Sequence, residues 1–270
     1  LTLCNSALAQ GGIAGVYNSP NDDVQLHQND TLIAGGFKNN LEATGVLVNE
    51  ASVDIENIMK LGVEFDRNAD GTIHRTLEGG HSRNRIFHHK DATGNEVVTK
   101  LLSKVLTLEN VDIIENTMVC DIRKTSTGFS VDTLKDGEHI SYNSHYTILA
   151  TGGIGRVYEY TTNSSIATGD GITFAYEMGA EIKNLSYVQF HPTAFNNKQT
   201  RECFLISEAV RGEGAYLLNC NGERFMKGYD DRLELAPRDV VSHAIITEEK
   251  KLNSGDFYLD ISHKDSEFLK

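Results

Sequence analysis

Residues 146–155 read YTILATGGIG, and this stretch decides the fold class. Its first five residues are apolar or β-branched and predict a buried strand, which runs directly into a glycine turn. A helix is predicted downstream, from Gly169 to Gly179. Strand, glycine turn and helix therefore follow in the order of an α/β fold, in which glycines at a strand end let the backbone approach a bound cofactor. The alternative is a glycine turn without a ligand.

Helical and strand-like patterns alternate on both sides of this stretch. Apolar residues three and four apart predict helices at 23–34, 41–61 and 93–108, the last capped by Asp91 or Thr93. Two short strands, 63–65 and 72–75, are expected around an Asp-Gly turn at 70–71. The segment 111–150 predicts a β-meander with strands at VDIIE (111–115), MVCDI (118–122), FSVDTL (129–134), HISYN (139–143) and the final buried strand.

The sequence changes character near residue 184, where short polar segments replace the long patterns and one helix is expected near 237–251. We therefore expect two domains. Residues 1–183 form the α/β core, and residues 184–270 form part of a smaller α+β capping domain.

Composition excludes several classes of partner. The 270 residues include 25 Lys and Arg against 38 Asp and Glu, a net charge of −13, which repels nucleic acid and anionic membrane surfaces. No apolar run approaches the roughly 20 residues that cross a bilayer, so a soluble protein is expected. The cysteines, at 4, 120, 203 and 220, form no CxxC pair. No metal site or disulfide framework is therefore indicated, and a reducing cytoplasm is expected.

Two further glycine strings are candidate ligand contacts. Ala9-Gln10-Gly11-Gly12 allows close backbone approach, with Asn5 and Ser6 as polar groups just upstream. In the string 168–171 (TGDG), Asp170 can accept a hydrogen bond from a ribose-type hydroxyl. The alternatives are an ordinary loop for the first string and helix capping for Asp170.

The segment 189–239 holds the densest set of candidate functional groups. One histidine and two arginines stand there in the strings QFHPT (189–193), SEAVRGEG (207–214) and LAPRD (235–239). Guanidinium groups bind carboxylates in bidentate fashion, so this set is suited to a dicarboxylate. Glu208 and Arg211 are three residues apart and, on a helix, share a face as a proton-passing pair. The alternative is a surface salt bridge.

Eight strings occur in an order that resembles one flavoprotein family, which comprises L-aspartate oxidase, succinate dehydrogenase and fumarate reductase. They are AQGGIA, EGGHS, ATGG, TGDGI, QFHPTA, EAVRGEGAYL, GERFM and LAPRDVV. Within the family the chain is most similar to the L-aspartate oxidases. Asn5 stands where succinate dehydrogenases place the histidine that is joined to FAD, and Glu78 and Ala209 also depart from the dehydrogenase pattern.

The resemblance implies a Rossmann-like FAD-binding core and an FAD that is not covalently attached. It implies substrate-carboxylate contacts from His191 and Ser207, and a contact between Glu78 and the substrate ammonium. Arg238 is implied as the acid/base, with Glu208 and Arg211 as its proton path. The implied FAD contacts are Asn5, Ser6, Ala7, Leu8, Ala9, Gln10, Gly11, Gly12, Val119, Cys120 and Asp170.

The implied reaction is oxidation of L-aspartate to iminoaspartate, with O2 or fumarate as electron acceptor. In the family this is the first step of NAD biosynthesis from aspartate, which implies a functional link to quinolinate synthase. The alternatives are a fumarate reductase or succinate dehydrogenase flavoprotein, and a catalytically silent fragment. A flavin spectrum separates the silent fragment from the enzymes, and assays with aspartate and succinate separate the enzymes from each other.

The chain departs from the family at both ends. No G-x-G-x-x-G follows a strand, so the βαβ unit that seats the FAD pyrophosphate is expected upstream of Leu1. Further substrate residues of the family are expected beyond Lys270. We therefore expect a central fragment that holds FAD weakly and is inactive on its own.

Overall fold

A computed structural model describes residues 3–195, 197 and 199–267. Within these ranges the helices are α1 (Asn5–Leu8), α2 (Val24–Ala34), α3 (Leu41–Lys60), α4 (Thr93–Val105), α5 (Asp170–Glu177), α6 (Glu208–Gly212) and α7 (Arg238–Leu252). The strands are β1 (Ile13–Ala14), β2 (Arg75–Thr76), β3 (Ile86–Phe87), β4 (Met118–Lys124), β5 (Phe129–Lys135), β6 (Glu138–Ser144), β7 (Tyr216–Leu218) and β8 (Tyr258–Asp260). Short 3-10 helices occur at Gly155–Val157, Phe225–Gly228 and Leu233–Leu235.

The five predicted helices are confirmed as α2, α3, α4, α5 and α7. Asp23 caps α2, where its side chain accepts a hydrogen bond from the Leu26 N–H at 2.8 Å. The predicted cap of α4 is wrong. The N-cap residue is Ala92, whose methyl side chain cannot accept a hydrogen bond. Thr93 is the first residue of the helix, and its hydroxyl accepts the N–H of His89, in the preceding loop, at 3.0 Å.

A small antiparallel sheet, in the order β1-β3-β2, joins the N-terminal segment to the segment before α4. Ile13 pairs with Phe87, and Arg75 pairs with Phe87 from the other side. Phe87 is fully buried and packs in one core cluster with Ile55 of α3. This sheet fixes the glycine string at 9–12 beside the turn that connects β2 to β3.

The two strands predicted around the 70–71 turn are wrong in position. One antiparallel bridge, Arg67 to Ile73, forms there, and the longer pairing belongs to β2. Val63 and Phe65 are buried in the core cluster and are not strand residues. Their apolar character reflects side-chain burial, which does not require a ladder partner.

The β-meander is confirmed in its middle and wrong at its ends. Strands β4, β5 and β6 pair antiparallel in sequence order. The segments 111–115 and 146–150 form no strand, and Tyr146 and Ile148 are 88% and 90% exposed. An apolar strand is buried only when neighbours cover it, and no described strand pairs with either segment.

The C-terminal part has its own core cluster. Leu217 of β7, Phe225, Met226, Val241 and Ala244 are buried together, the last two on α7. The β7–β8 pair forms a separate two-stranded sheet. The proposed domain boundary at residue 184 stays a prediction. None of the described helices is long and apolar enough to span a membrane.

Candidate active site

A cavity of about 480 Å³ opens where α1, β1, α4, the β2–β3 connection and the N-termini of α6 and α7 converge. Its wall is glycine-rich and apolar on the side of α1 and α4, and charged on the side of α6 and α7. It is lined by Ser6, Ala9, Gln10, Gly11, Gly12, Ile13, Glu78, Thr93, Gly94, Val97, Val98, His191, Leu205, Ser207, Glu208 and Arg238.

The apolar side is built by close contact between α1 and α4. The Gly94 N–H donates to the Ala9 carbonyl at 2.9 Å, which places the start of α4 against the glycine string. Gln10 donates from Nε2 to the Leu205 carbonyl at 3.3 Å, but its buried Oε1 has no hydrogen-bond partner among the residues that the structure describes. An unpaired buried acceptor is costly unless a ligand donor satisfies it. Flavin rings carry an N–H and apolar faces, so these residues fit FAD.

Glu208 is the centre of the charged side. Its Oε2 accepts from Arg238 Nε at 2.5 Å, and its Oε1 accepts from the Gly79 N–H at 3.1 Å. Arg211 Nη2 lies 3.5 Å from the same Oε1, one helical turn along α6. The carboxylate therefore joins two guanidinium groups and the backbone beside Glu78.

Arg211 lies behind this carboxylate and is 1% exposed. Its Nη1 donates to the Glu234 carbonyl at 2.6 Å, while Nε and Nη2 form no hydrogen bond within the described part of the chain. Burial lowers the pKa of Arg211, and the nearby Glu208 carboxylate opposes that change. Arg211 thus remains the partner charge of Glu208 inside the protein, and it does not line the cavity.

His191 faces the cavity as a neutral imidazole. Burial, followed by the charges of Arg238 and Arg211, lowers the pKa of His191 to about 4. Its Nδ1 accepts the Thr193 N–H at 3.2 Å, so the ring proton resides on Nε2. A neutral N–H donor is available there for a carboxylate ligand.

Glu78 stands opposite Arg238 on the β2–β3 connection. A Cβ atom placed on Gly11 would lie 3.2 Å from Glu78 Oε1, so the carboxyl group touches the glycine string. Burial raises the pKa of Glu78, the Glu208 carboxylate raises it further, and Arg238 and the Gly12 N–H oppose the increase. A cation bound beside Glu78 would favour its ionised form.

Residues 2–270 match the family model of an FAD binding domain. The chain belongs to this FAD-binding family. It is 45% identical to the L-aspartate oxidase of Clostridium perfringens, over 100% of this chain and 60% of that protein. It is 42% identical to the L-aspartate oxidase of Clostridium acetobutylicum, over 98% of this chain and 60% of that protein. The chain thus spans 60% of the length of each relative.

Solved structures agree with this family. FrdA of Escherichia coli quinol fumarate reductase, in a variant form, superposes with a TM-score of 0.91 at 27% identity, over 98% of this chain and 48% of that chain. The predicted α/β flavoprotein fold, the resemblance to L-aspartate oxidases and FAD as the cofactor are therefore confirmed.

The structure brings most of the predicted site residues of this flavoprotein to one place. Ten line the cavity: Ser6, Ala9, Gln10, Gly11, Gly12, Glu78, His191, Ser207, Glu208 and Arg238. Asn5, Ala7 and Leu8 belong to α1 but do not line it, and Asn5 instead bonds to Asn163 at 2.8 Å and to the Ser164 N–H at 2.8 Å. Their predicted FAD contacts stay proposals.

Three other predicted FAD contacts are not among the residues that line this cavity, and they stay predictions. Val119 and Cys120 are on β4, and Asp170 is the first residue of α5, where it is exposed and accepts the Thr168 hydroxyl at 2.9 Å. Five further residues of the site had no predicted functional role: Gln189 Oε1 accepts from Arg238 Nη1 at 3.0 Å, and the cavity is lined from α4 by Thr93, Gly94, Val97 and Val98. Gly94, at the second position of α4, was the one sequence feature that could have indicated a close approach to this helix.

Proposed function

We propose that this chain carries the substrate site of an FAD-dependent enzyme that oxidises L-aspartate to iminoaspartate, with O2 or fumarate as electron acceptor. The observation that carries the proposal is the placement of Glu78 in one cavity with His191 and the Arg238–Glu208 pair. An amino dicarboxylate needs donors for its carboxylates and an anion for its ammonium, and this cavity offers both.

The substrate carboxylates are held by neutral donors and a guanidinium. His191 donates from Nε2. Ser207 accepts the Ala209 N–H on its Oγ at 3.3 Å, which leaves its own hydroxyl proton free to be donated into the cavity. Arg238, with a half-buried side chain, supplies the positive charge that neutralises a carboxylate.

Arg238 is the proposed acid/base, and Glu208 and Arg211 form its proton path. A guanidinium releases a proton reluctantly near neutral pH, so Arg238 needs a partner that receives or returns the proton. Glu208 Oε2, 2.5 Å from Arg238 Nε, is within direct transfer distance. FAD supplies the two-electron redox chemistry when it is bound.

Glu78 is the proposed residue for substrate choice. L-aspartate differs from succinate by the ammonium on the reacting carbon, and a carboxylate there adds a charge-assisted bond to aspartate. The same carboxylate is left unpaired beside succinate or fumarate, which penalises them. Glu78 therefore distinguishes this proposal from a fumarate reductase or succinate dehydrogenase, the alternative that the superposition on FrdA favours.

The test is Glu78→Gln in the FAD-loaded protein, assayed for aspartate oxidation and for fumarate reduction. Aspartate oxidation should fall by more than about tenfold, equivalent to roughly 1.4 kcal/mol, while fumarate reduction is retained or improved. Glu213→Gln is the matched control, since Glu213 is exposed just after α6 and does not line the cavity. Equal loss of both activities, or no loss of either, would show that Glu78 does not bind the amine.

The surrounding biology is proposed on the same basis. We place the reaction at the first step of NAD biosynthesis from aspartate, in the cytoplasm, with quinolinate synthase as a functional partner that consumes the imine. FAD is proposed to bind without a covalent link, since Asn5 has no nucleophilic ring nitrogen and its amide bonds to the 163–164 segment.

A further inference from the structure

Glu78 is carried by a tight turn. The His81 N–H donates to the Glu78 carbonyl at 3.2 Å, and Gly80 has a φ of +84° at the third position of the turn. This is the geometry of a type II turn, in which glycine at that position avoids strain. The turn is held at Gly79, whose N–H donates to Glu208 Oε1, and directly after its far end, at Ser82.

Ser82 is fixed by a buried carboxylate of α2. Asp30 Oδ2 accepts the Ser82 N–H at 2.9 Å and the Ser82 hydroxyl at 2.8 Å. The same oxygen accepts from Arg85 Nη1 at 2.5 Å. Asp30 is 8% exposed and Arg85 is fully buried, so these are charge-assisted bonds out of water.

Arg85 connects this carboxylate to the flavin side of the cavity. Its Nε and Nη2 donate to the two oxygens of Asp22 at 2.9 and 2.7 Å, just before α2 begins. Its carbonyl accepts the Gly15 N–H at 3.0 Å, directly after β1. Its Nη1 also lies 3.2 Å from Nδ1 of His81, within the turn. The Arg85 side chain thus ties α2 to the turn, and its backbone carbonyl ties both to the segment after β1.

A buried ion network of this kind is weak evidence for stability, because desolvation offsets most of the attraction. The network does fix the position of the turn, since the Ser82 N–H, the Ser82 hydroxyl and Arg85 Nη1 all donate to Asp30 Oδ2. We propose that Asp30 is a positioning residue: through Ser82 and Arg85 it holds the 78–82 turn so that Glu78 meets the substrate ammonium, and it thereby sets the preference for amine-bearing dicarboxylates. This inference rests on the proposed role of Glu78.

Two variants test it in the FAD-loaded protein. Ser82→Ala removes one bond to Asp30 and leaves every buried charge paired, and Asp30→Asn removes the charge at constant size. Both should raise KM for aspartate, on the order of tenfold, with kcat and fumarate reduction unchanged. Asp23→Ala is the matched control, because Asp23 caps the same helix at its exposed end without touching the turn.

A double variant distinguishes this inference from the proposed function. If Ser82 acts through Glu78, Glu78→Gln with Ser82→Ala should lose no more aspartate activity than Glu78→Gln alone. Additive losses, a parallel loss of fumarate reduction, or the same KM effect in Asp23→Ala would overturn the positioning role. A selective loss in Glu78→Gln that neither Ser82→Ala nor Asp30→Asn reproduces overturns this inference and leaves the proposed function intact. Absence of selectivity in Glu78→Gln overturns both.

Discussion

Replacing Arg85 with leucine removes the cation at the centre of the buried network and leaves its carboxylates in place. In the native protein the Arg85 side chain is 0% exposed, and the side chains of Asp22 and Asp30 are 2% and 10% exposed. The leucine side chain fills much of the volume of the aliphatic part of Arg85 but donates no hydrogen bond. Two carboxylates are then buried without their shared counter-charge.

The expected cost follows from this arrangement. Three guanidinium bonds to carboxylates are lost, two to Asp22 and one to Asp30, and water cannot replace them at these exposures. Removing one partner of a buried ion pair costs about 3–5 kcal/mol of unfolding free energy. We expect Arg85→Leu to lose an amount in this range at neutral pH. Adding Asp22→Asn and Asp30→Asn to the same variant should recover more than half of it.

The pH dependence has a definite sign. Burial raises the pKa of Asp30, but hydrogen bonds from Ser82 and Arg85 outweigh it and hold the pKa below its ordinary value. In the native protein this carboxylate contributes stability above its unfolded-state pKa, and the contribution is lost as pH falls through the lower folded-state pKa. Without Arg85, one of the groups that lower the pKa of Asp30 is gone and burial still raises it. The folded variant therefore protonates Asp30 more readily than the native protein does. Its deficit relative to the native protein should shrink on acidification.

The assay is chemical unfolding of the native protein, Arg85→Leu and the triple variant, at about pH 7.5 and about pH 5.5. A loss of less than about 1 kcal/mol in Arg85→Leu at the higher pH, or a deficit that grows as the pH falls, would contradict the role assigned to Arg85. A triple variant no more stable than Arg85→Leu would contradict it as well.

Three further predictions concern the cavity wall and its support. Arg238→Lys keeps the charge but loses the planar fork that donates to Glu208 and Gln189, so kcat should fall by about 100-fold with KM for aspartate largely retained, and near-native turnover would exclude Arg238 as the acid/base. Gly94→Ala places a methyl group 2.0 Å from the Ser6 carbonyl, so unfolding free energy should fall by about 1–3 kcal/mol and flavin absorbance per protein should fall with it. Glu234→Gln removes the buried carboxylate that pairs with Arg224, whose side chain stays partly hydrated, so it should cost about 1–2 kcal/mol in chemical unfolding, and an unchanged midpoint would contradict this.

Amphipathic spacing predicted the helices well because it records which face of a helix is buried. α3 places Val48 and Ile55 inside at a spacing of seven residues, and the sequence pattern carries that information without a partner. The caps were less predictable. Thr93 was a plausible cap for α4, but its hydroxyl bonds to the His89 N–H, a contact that depends on how the preceding loop turns.

Strands were predicted less well, since a strand requires a partner that local sequence does not name. The segment 146–150 has the composition of a buried strand, yet it is unpaired and exposed in the described structure. Val63 and Phe65 have the same composition and are buried without pairing. Apolar character thus identified residues that avoid water and did not determine whether a ladder forms around them.

By itself, the sequence determined the family, the cofactor and the residue types of the site, because motifs such as EGGHS and LAPRDVV keep their chemistry at fixed spacing along the chain. Only the tertiary structure decided which of these groups meet. It joined Glu208 to Arg238, 30 residues away, made His191 a neutral donor by burial, and placed Asp30 under the turn that carries Glu78. Distances, desolvation and shared hydrogen bonds arise from packing between segments that are distant in the chain. The sequence of one segment alone does not determine that packing.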